Sequence, residues 1–211
     1  MSILGFIAEA VIRNVVVPAA AEKAYEATHR DFSDVENYFQ KEPGTGLLVI
    51  NQRLTGTINV LNVYDENRVV KYHIKDRRWD PTMQCLYVYD YYGNIIGAIK
   101  ENLVSKHASI SNEKDPVEYF IEISGQTLGR VKSVWSFGGK RKYEVDFYGW
   151  RLEGDVIGQQ FKILYKTWLV ADVSSKTNNA SSACVVTFPD IRNELIVLML
   201  VITLDAAARA R

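Results

Sequence analysis

The chain has 211 residues, and its 25 basic side chains balance its 25 acidic ones. Because the molecule carries no net charge, the composition argues against nucleic acid as a partner and against a general attraction to anionic surfaces. Any anion binding must therefore come from a local patch. The length suits one globular domain with an N-terminal extension and is enough to bury a core without disulfides.

The two cysteines and the first residues both predict a cytoplasmic protein. Cys85 and Cys184 lie among apolar or β-branched residues, a pattern typical of buried thiols in a reducing compartment. The start of the chain has no basic segment, Glu9 interrupts its apolar run, and Ser2 removes the myristoylation signal. No stretch is predicted to cross a membrane.

Residues 1–45 are predicted to be helical. Apolar residues recur at three- and four-residue spacing across residues 3–15, which predicts an amphipathic helix, and an alanine-rich helix follows at residues 19–25. Ser33 and Glu36 form a capping box that starts a third, short helix. The first helix is expected to pack against the rest of the chain or a partner subunit. The alternatives are a membrane-surface anchor, although its polar face lacks lysine and arginine enrichment, and a disordered segment or a helix that forms only on a partner.

From residue 46 the periodicity changes to the alternation of β-strands. Apolar and polar residues alternate along residues 56–64 and 69–74, which are predicted to be two strands joined by a polar turn. Further strands are predicted at residues 86–90, 95–100, 119–124, 128–134, 142–147, 151–156, 159–164, 167–173 and 183–188. About a dozen short antiparallel strands favour a closed barrel, because closure removes exposed sheet edges.

A glycine pattern recurs among these strands. The glycines come in pairs with three residues between them: Gly93 and Gly97, Gly125 and Gly129, Gly154 and Gly158. The first glycine of each pair predicts a hairpin turn with positive φ, and the second predicts a place where the sheet bends or another element approaches closely. The recurrence predicts a meander of similar hairpins.

Residues 195–204 form a run that is apolar all round. The run is too short to cross a bilayer, which takes about 20 residues as a helix. Since it has no polar face, it must be surrounded by protein. A barrel of about twelve strands leaves a lumen that its own side chains do not fill. We predict that a core helix over residues 190–209 fills it.

Three segments, residues 89–97, 152–163 and 186–207, resemble in this order the LURP-one-related family. That family is grouped with Tubby C-terminal domains and phospholipid scramblases. The resemblance implies a mainly-β, Tubby-like antiparallel barrel of about twelve strands around a hydrophobic C-terminal helix. The chain is thus expected to comprise an N-terminal helical extension, residues 1–45, and a barrel, residues 46–211.

The resemblance also bears on function. Tubby domains bind phosphoinositide head groups through lysines and arginines on the barrel exterior, whereas scramblases are linked to lipid movement and calcium. This chain has no Asp-x-Asp-x-Asp calcium loop. It also lacks the cysteine-rich segment and membrane-length helix expected of a scramblase. The resemblance therefore implies a binding module rather than a scramblase.

Two basic clusters can hold a phosphate group. The candidate contacts are Lys71, Lys75, Arg77 and Arg78 in the first cluster and Lys140, Arg141 and Lys142 in the second. In the first cluster, a period of two places Lys71, His73, Lys75 and Arg77 on one strand face. In the second, two preceding glycines offer backbone N–H groups beside the cations. The alternative for both clusters is a solvated surface, where lysines also protect sheet edges.

No catalytic, metal or cofactor site is predicted. His29, His73 and His107 are widely separated, with no second ligand at metal spacing. The chain has no nucleophile elbow, phosphate-binding loop or dinucleotide fingerprint. We expect a non-enzymatic protein. It either binds an anionic lipid head group or other phosphorylated ligand as a peripheral membrane protein, or it is an interaction scaffold in which residues 1–42 mediate partner binding or self-association.

Overall fold

The computed structural model describes residues 45–51, 60–76, 85–102, 117–135, 141–178 and 181–209. Within these residues there are twelve β-strands and one α-helix. The elements are β1 (Gly46–Asn51), β2 (Val60–Tyr64), β3 (Val70–Asp76), β4 (Cys85–Asp90), β5 (Ile95–Glu101), β6 (Val117–Ile123), β7 (Gln126–Trp135), β8 (Arg141–Val145), β9 (Trp150–Asp155), β10 (Gln160–Tyr165), β11 (Trp168–Asn178), β12 (Ser181–Phe188) and α1 (Glu194–Arg209). The predicted N-terminal helices lie outside the described residues.

The strands form one antiparallel sheet in the order β8-β7-β6-β5-β4-β3-β2-β1-β12-β11-β10-β9. Chain neighbours pair throughout this order, except that β1 pairs with β12, with Gly46 opposite Phe188. The two ends of the order, β8 and β9, are consecutive in the chain but are not hydrogen-bonded to each other. The sheet is therefore a nearly closed barrel with a seam between β8 and β9, and the predicted twelve-stranded barrel is confirmed.

Some strands bury one face because their side chains alternate, whereas β1 buries both faces, with Leu48 and Val49 each at 0% exposure. In β10, Phe161 and Ile163 are buried whereas Lys162 between them is exposed. A strand's side chains point to opposite faces of the sheet in turn, so in β10 these apolar positions line the interior and the lysine between them meets water. The alternation in the sequence therefore sets which face points inward.

Helix α1 lies in the core. Leu198, Met199 and Leu200 are all fully buried, although consecutive helical positions point in different directions. The helix is thus enclosed on every side, as its all-round apolar composition predicts. Its one buried hydroxyl is satisfied locally, because Thr203 Oγ1 donates to the carbonyl oxygen of Met199 at 2.7 Å. At Gly97 a Cβ atom would lie only 2.8 Å from Met199 Cε, which confirms the close approach predicted for this glycine.

The start of the helix differs from the prediction. The sequence predicts a core helix over residues 190–209, whereas α1 begins at Glu194 and follows a 3₁₀ turn, Ile191–Asn193. Asp190 caps this turn, since its Oδ1 accepts a hydrogen bond from the Arg192 backbone N–H at 3.0 Å. An aspartate at this position favours a cap over a helix interior. The chain therefore turns into the barrel before the α-helical run starts.

The glycine pattern is confirmed for two of its pairs. Gly93 and Gly125 lie in hairpin turns with φ of 84° and 77°. Gly154 has the predicted positive φ, at 116°, but it lies inside β9 and the turn follows it, so the prediction of a hairpin turn at Gly154 is wrong. A Cβ atom there would lie 2.5 Å from the carbonyl oxygen of Gln160, so close packing of β10 accounts for the glycine.

Both cysteine thiols are free and buried. Burial, with a smaller contribution from Asp205, raises the pKa of Cys184 to about 12. No α-helix in the described part of the chain is long and apolar enough to cross a bilayer.

Candidate functional site

The first predicted basic cluster lies on β3. Ile74 of this strand is buried in the barrel core, so His73 and Lys75 on either side of it face outward. In the ladder, His73 lies opposite Asn62 of β2 and opposite Tyr89 of β4. Asn62, His73 and Tyr89 therefore form one cross-strand row on the outer face, where Tyr89 is buried and the other two are half-buried. We call these three residues and Lys75 the β3 patch.

His73 is held by its neighbour on β2. Its Nδ1 lies 2.9 Å from Asn62 Oδ1. An amide oxygen only accepts, so Nδ1 carries the proton in this pairing and Nε2 is available to a second partner. Burial, and secondarily the charge of Lys75, lowers the pKa of His73 below its ordinary value of 6.5. The imidazole is therefore neutral at pH 7.

Lys75 is the exposed cation of the β3 patch. Its Nζ lies 5.0 Å from the ring centroid of Tyr89, within the range of a cation–π contact. Among the described residues Lys75 has no salt bridge. The ring thus positions the ammonium group without neutralising it. The β3 patch presents this ammonium beside an imidazole.

Lys71 is not on the face that the sequence predicts. In the pairing of β2 with β3, Val63 lies opposite Tyr72, and the next residue, Tyr64, lies opposite Val70. Lys71 is therefore skipped by the pairing and is the extra residue of a β-bulge. A bulge re-aims side chains. Lys71 Nζ and the Tyr72 hydroxyl therefore both contact Glu194 Oε1, each at 2.6 Å.

This contact ties the bulge to the first residue of α1. Glu194 is buried, and a carboxylate at a helix N-terminus is stabilised by the helix dipole. Burial, and then the hydrogen bond to Glu194, raises the pKa of Tyr72. Lys71 thus serves helix docking, and its charge is neutralised within the fold. Arg77 and Arg78, which complete the first cluster, lie outside the described residues.

The second cluster is divided by strand alternation. Arg141 points inward, and its Nη1 donates to the carbonyl oxygens of Ala207 at 2.9 Å and Ala208 at 3.4 Å. These are carbonyls of the last turn of α1, where a cation is favourable. Lys142 faces outward and is exposed. Lys140 lies outside the described residues, so the structure places Arg141 and Lys142 on opposite faces of β8.

Sequence reasoning missed two members of the β3 patch. Asn62 and Tyr89 come from other strands, and their approach to His73 depends on the register of two ladders. The alternation in residues 56–64 places Asn62 on a polar face, but no local signal pairs it with His73. Within the described residues, no group of three or more His, Cys, Asp and Glu side chains is arranged to hold a metal ion.

The fold and the terminal helix agree with a comparison to protein families. A model of the LURP-one-related family matches residues 47–205. The chain belongs to the LURP-one-related family. In this LURP-one-related chain the match runs from β1 into α1, so it covers the barrel strands, both predicted clusters and most of the core helix. No curated protein and no solved structure matches the chain.

Proposed function

We propose that this LURP-one-related barrel is a non-enzymatic module that binds an anionic lipid head group at a membrane surface through the β3 patch. The observation that carries the proposal is Lys75, an exposed ammonium positioned over Tyr89 and not neutralised by a carboxylate among the described residues. Such a group gives the neutral chain the local cation that phosphate binding requires.

The neighbouring side chains suit the same ligand. Asn62 orients the imidazole of His73 from one side, which leaves Nε2 for a phosphate oxygen. A bound phosphate favours the protonated imidazole, and His73 would then add a charge-assisted hydrogen bond to that of Lys75. Arg77 and Arg78 follow β3 in the chain and stay predicted contacts.

The two clusters differ in how well they support this function. Arg141 is engaged with the end of α1, and Lys71 with its beginning. Lys142 is exposed and stays a predicted contact, but without Arg141 on its face of β8. The β3 patch is therefore the better candidate for the head-group site. A single patch of this kind suits a peripheral membrane protein in the cytoplasm that binds reversibly.

The experiment is co-sedimentation of the full chain with phosphatidylcholine vesicles, with or without phosphatidylserine or a phosphoinositide, at low and physiological salt. Binding should strengthen when the anionic lipid is present, and that gain should weaken with salt, because surface charges are screened. Lys75→Ala should lower the binding constant by about fivefold, the effect of one lysine near an anionic surface. Lys162→Ala is the matched control, since Lys162 is exposed on the outer face of β10.

The outcomes separate the two candidate functions. If the Lys75 and Lys162 variants lose binding equally, the vesicles attract the protein only through its general surface charge, and the β3 patch is not the head-group site. Absence of binding to every vesicle would reject the head-group function. The interaction scaffold would then be tested by comparing the self-association of the full chain with that of a variant lacking residues 1–42.

A further inference from the structure

The barrel has one end at which the chain passes from β12 into α1, and we call it the helix-entry end. Because consecutive strands are antiparallel, the turns after β2, β4, β6, β8 and β10 lie at this same end. All of these turns are among the described residues. Their side chains can therefore be compared directly.

Nearly every crossing at the helix-entry end exposes a large apolar side chain. Tyr91 (67%) is exposed beside Tyr92. Taking one exposed residue from each crossing apart from the β6–β7 turn gives Val69 (51%), Tyr92 (85%), Tyr148 (52%), Trp168 (73%) and Ile191 (66%). We call these five residues the apolar rim. Single exposed apolar residues are ordinary on protein surfaces, but their recurrence on successive turns at one end requires an explanation.

Three aspartates at this end are only partly exposed and accept hydrogen bonds from their own turns, whereas Asp146 in the β8–β9 turn is exposed and pairs with Arg130. Asp65 accepts hydrogen bonds from the backbone N–H groups of Asn67 and Val69, at 2.9 and 3.0 Å. Asp90 accepts from the N–H of Asn94 at 2.8 Å, and Asp190 caps the turn before α1. In each case the carboxylate folds back onto its own turn, and an exposed apolar side chain lies in the same crossing.

Cations accompany the apolar rim. Arg68 precedes Val69 and is exposed, and Lys166 occupies the tip next to Trp168. Lys166 Nζ lies 5.4 Å from the ring centroid of Tyr165. Tyrosine and tryptophan, with lysine and arginine nearby, are enriched at the boundary between lipid head groups and acyl chains.

We propose that the apolar rim inserts into the head-group layer of a phospholipid bilayer, so that the barrel stands on the membrane with its helix-entry end down. The inference relies on the proposed function only for the membrane as the partner, because it uses a different set of residues from the β3 patch. A bilayer fits better than a protein groove, since the rim residues sit on separate turns around an annulus. The exposed Lys166 near Trp168 suits the lipid phosphates above the inserted rings.

The test measures partitioning of the full chain onto phosphatidylcholine vesicles with and without phosphatidylserine. Trp168→Ala should lower the partition coefficient on both vesicle types by about tenfold, the effect of losing the burial of a large aromatic side chain. Ile157→Ala is the matched control. Ile157 is 64% exposed, but it lies on the β9–β10 turn at the opposite end, so its loss should leave the partition coefficient unchanged.

A spectroscopic readout identifies the inserted residue. Lipids brominated on the acyl chain quench the fluorescence of a tryptophan that reaches them. Quenching should be present in the wild type and largely lost in Trp168→Phe, which keeps an aromatic ring and should still partition. Since Trp168 is exposed, both variants should unfold at the wild-type denaturant midpoint.

The results keep this inference distinct from the proposed function. Membrane insertion of the apolar rim is rejected if Trp168→Ala partitions like the wild type, or if the quenching persists in Trp168→Phe. Either result rejects it even if Lys75→Ala still weakens binding. If Lys75→Ala loses only the extra partitioning that phosphatidylserine causes, and Trp168→Ala still lowers partitioning on both vesicle types, the head-group function and the rim insertion are both supported. If the chain binds no vesicle but self-associates in a manner that Trp168→Ala abolishes, the rim is a protein interface and the bilayer inference fails.

Discussion

His73 is the residue of the β3 patch whose charge changes on acidification. Burial and Lys75 lower its pKa below 6.5 in the free protein, so it is neutral at pH 7 and gains a proton only on acidification. A bound phosphate stabilises the imidazolium and so raises this pKa. Binding to anionic vesicles should therefore strengthen as the pH falls from 7 through the ordinary range of histidine.

The matched variant for this prediction is His73→Gln, which keeps a hydrogen-bonding side chain but does not titrate. It should bind vesicles with an affinity that no longer changes between neutral and mildly acidic pH. The measurement is vesicle co-sedimentation across that range at constant salt. A wild type and variant with the same pH profile would show that His73 does not contact the head group.

Cys184 provides a second residue-level prediction. Its pKa of about 12 leaves almost no thiolate at pH 8, and the thiolate is the reactive form. The native protein should therefore react with an aromatic disulfide reagent orders of magnitude more slowly than the protein unfolded in urea. Since Cys85 is also buried, neither thiol should be readily titrated without unfolding. Rapid modification of either in the native state would contradict the described burial.

For individual residues, the sequence predicts the chemistry of a side chain better than its position. Strand alternation correctly predicts that His73 and Lys75 share a face. It fails for Lys71, because one extra residue in a bulge shifts the alternation and no local pattern marks that bulge. The engagement of Arg141 with the end of α1 is also unpredictable locally, since it joins groups 66 residues apart.

Helix α1 is the element that the sequence describes best. Its all-round apolar composition allows only one environment, and the structure encloses it accordingly. A carboxylate at Leu198 would be buried without a partner, which costs several kcal/mol. Leu198→Asp should therefore abolish cooperative folding, measured by circular dichroism and urea unfolding. Leu195→Asp is the control, because Leu195 is only partly buried and an aspartate in the first helical turn is favourable. A folded Leu198→Asp protein would contradict the enclosed helix.

The C-terminal end of α1 depends on Arg141. Removing this side chain takes a charged donor from the Ala207 and Ala208 carbonyls. Arg141→Ala should lower the free energy of unfolding by about 1–2 kcal/mol, the range for a charged donor at a helix C-terminus. Lys142→Ala, at the next residue but on the exposed face, should change it by less than about 0.5 kcal/mol. If the two variants are equally stable, the inward contact of Arg141 does not support the helix.

For the whole molecule, the number of strands and the enclosed helix could be predicted because both follow from local periodicity and composition. The position of the seam could not. It depends on β1 pairing with β12 across more than a hundred residues, while β8 and β9, joined by a short turn, stay unpaired with each other. Chain neighbours ordinarily pair, so a local reading would place a hairpin where the barrel is open.

This arrangement predicts an uneven stability around the barrel. Strands β1 and β12 are paired on both sides, and their residues Leu48 and Val186 are fully buried. Their amides should exchange with solvent only through global unfolding, whereas the seam-facing amides of β8 and β9 should exchange through local opening. Hydrogen exchange followed by mass spectrometry on the full chain would measure the difference. Equal protection in β8, β9, β1 and β12 would mean that the seam is hydrogen-bonded in solution and that the barrel is fully closed.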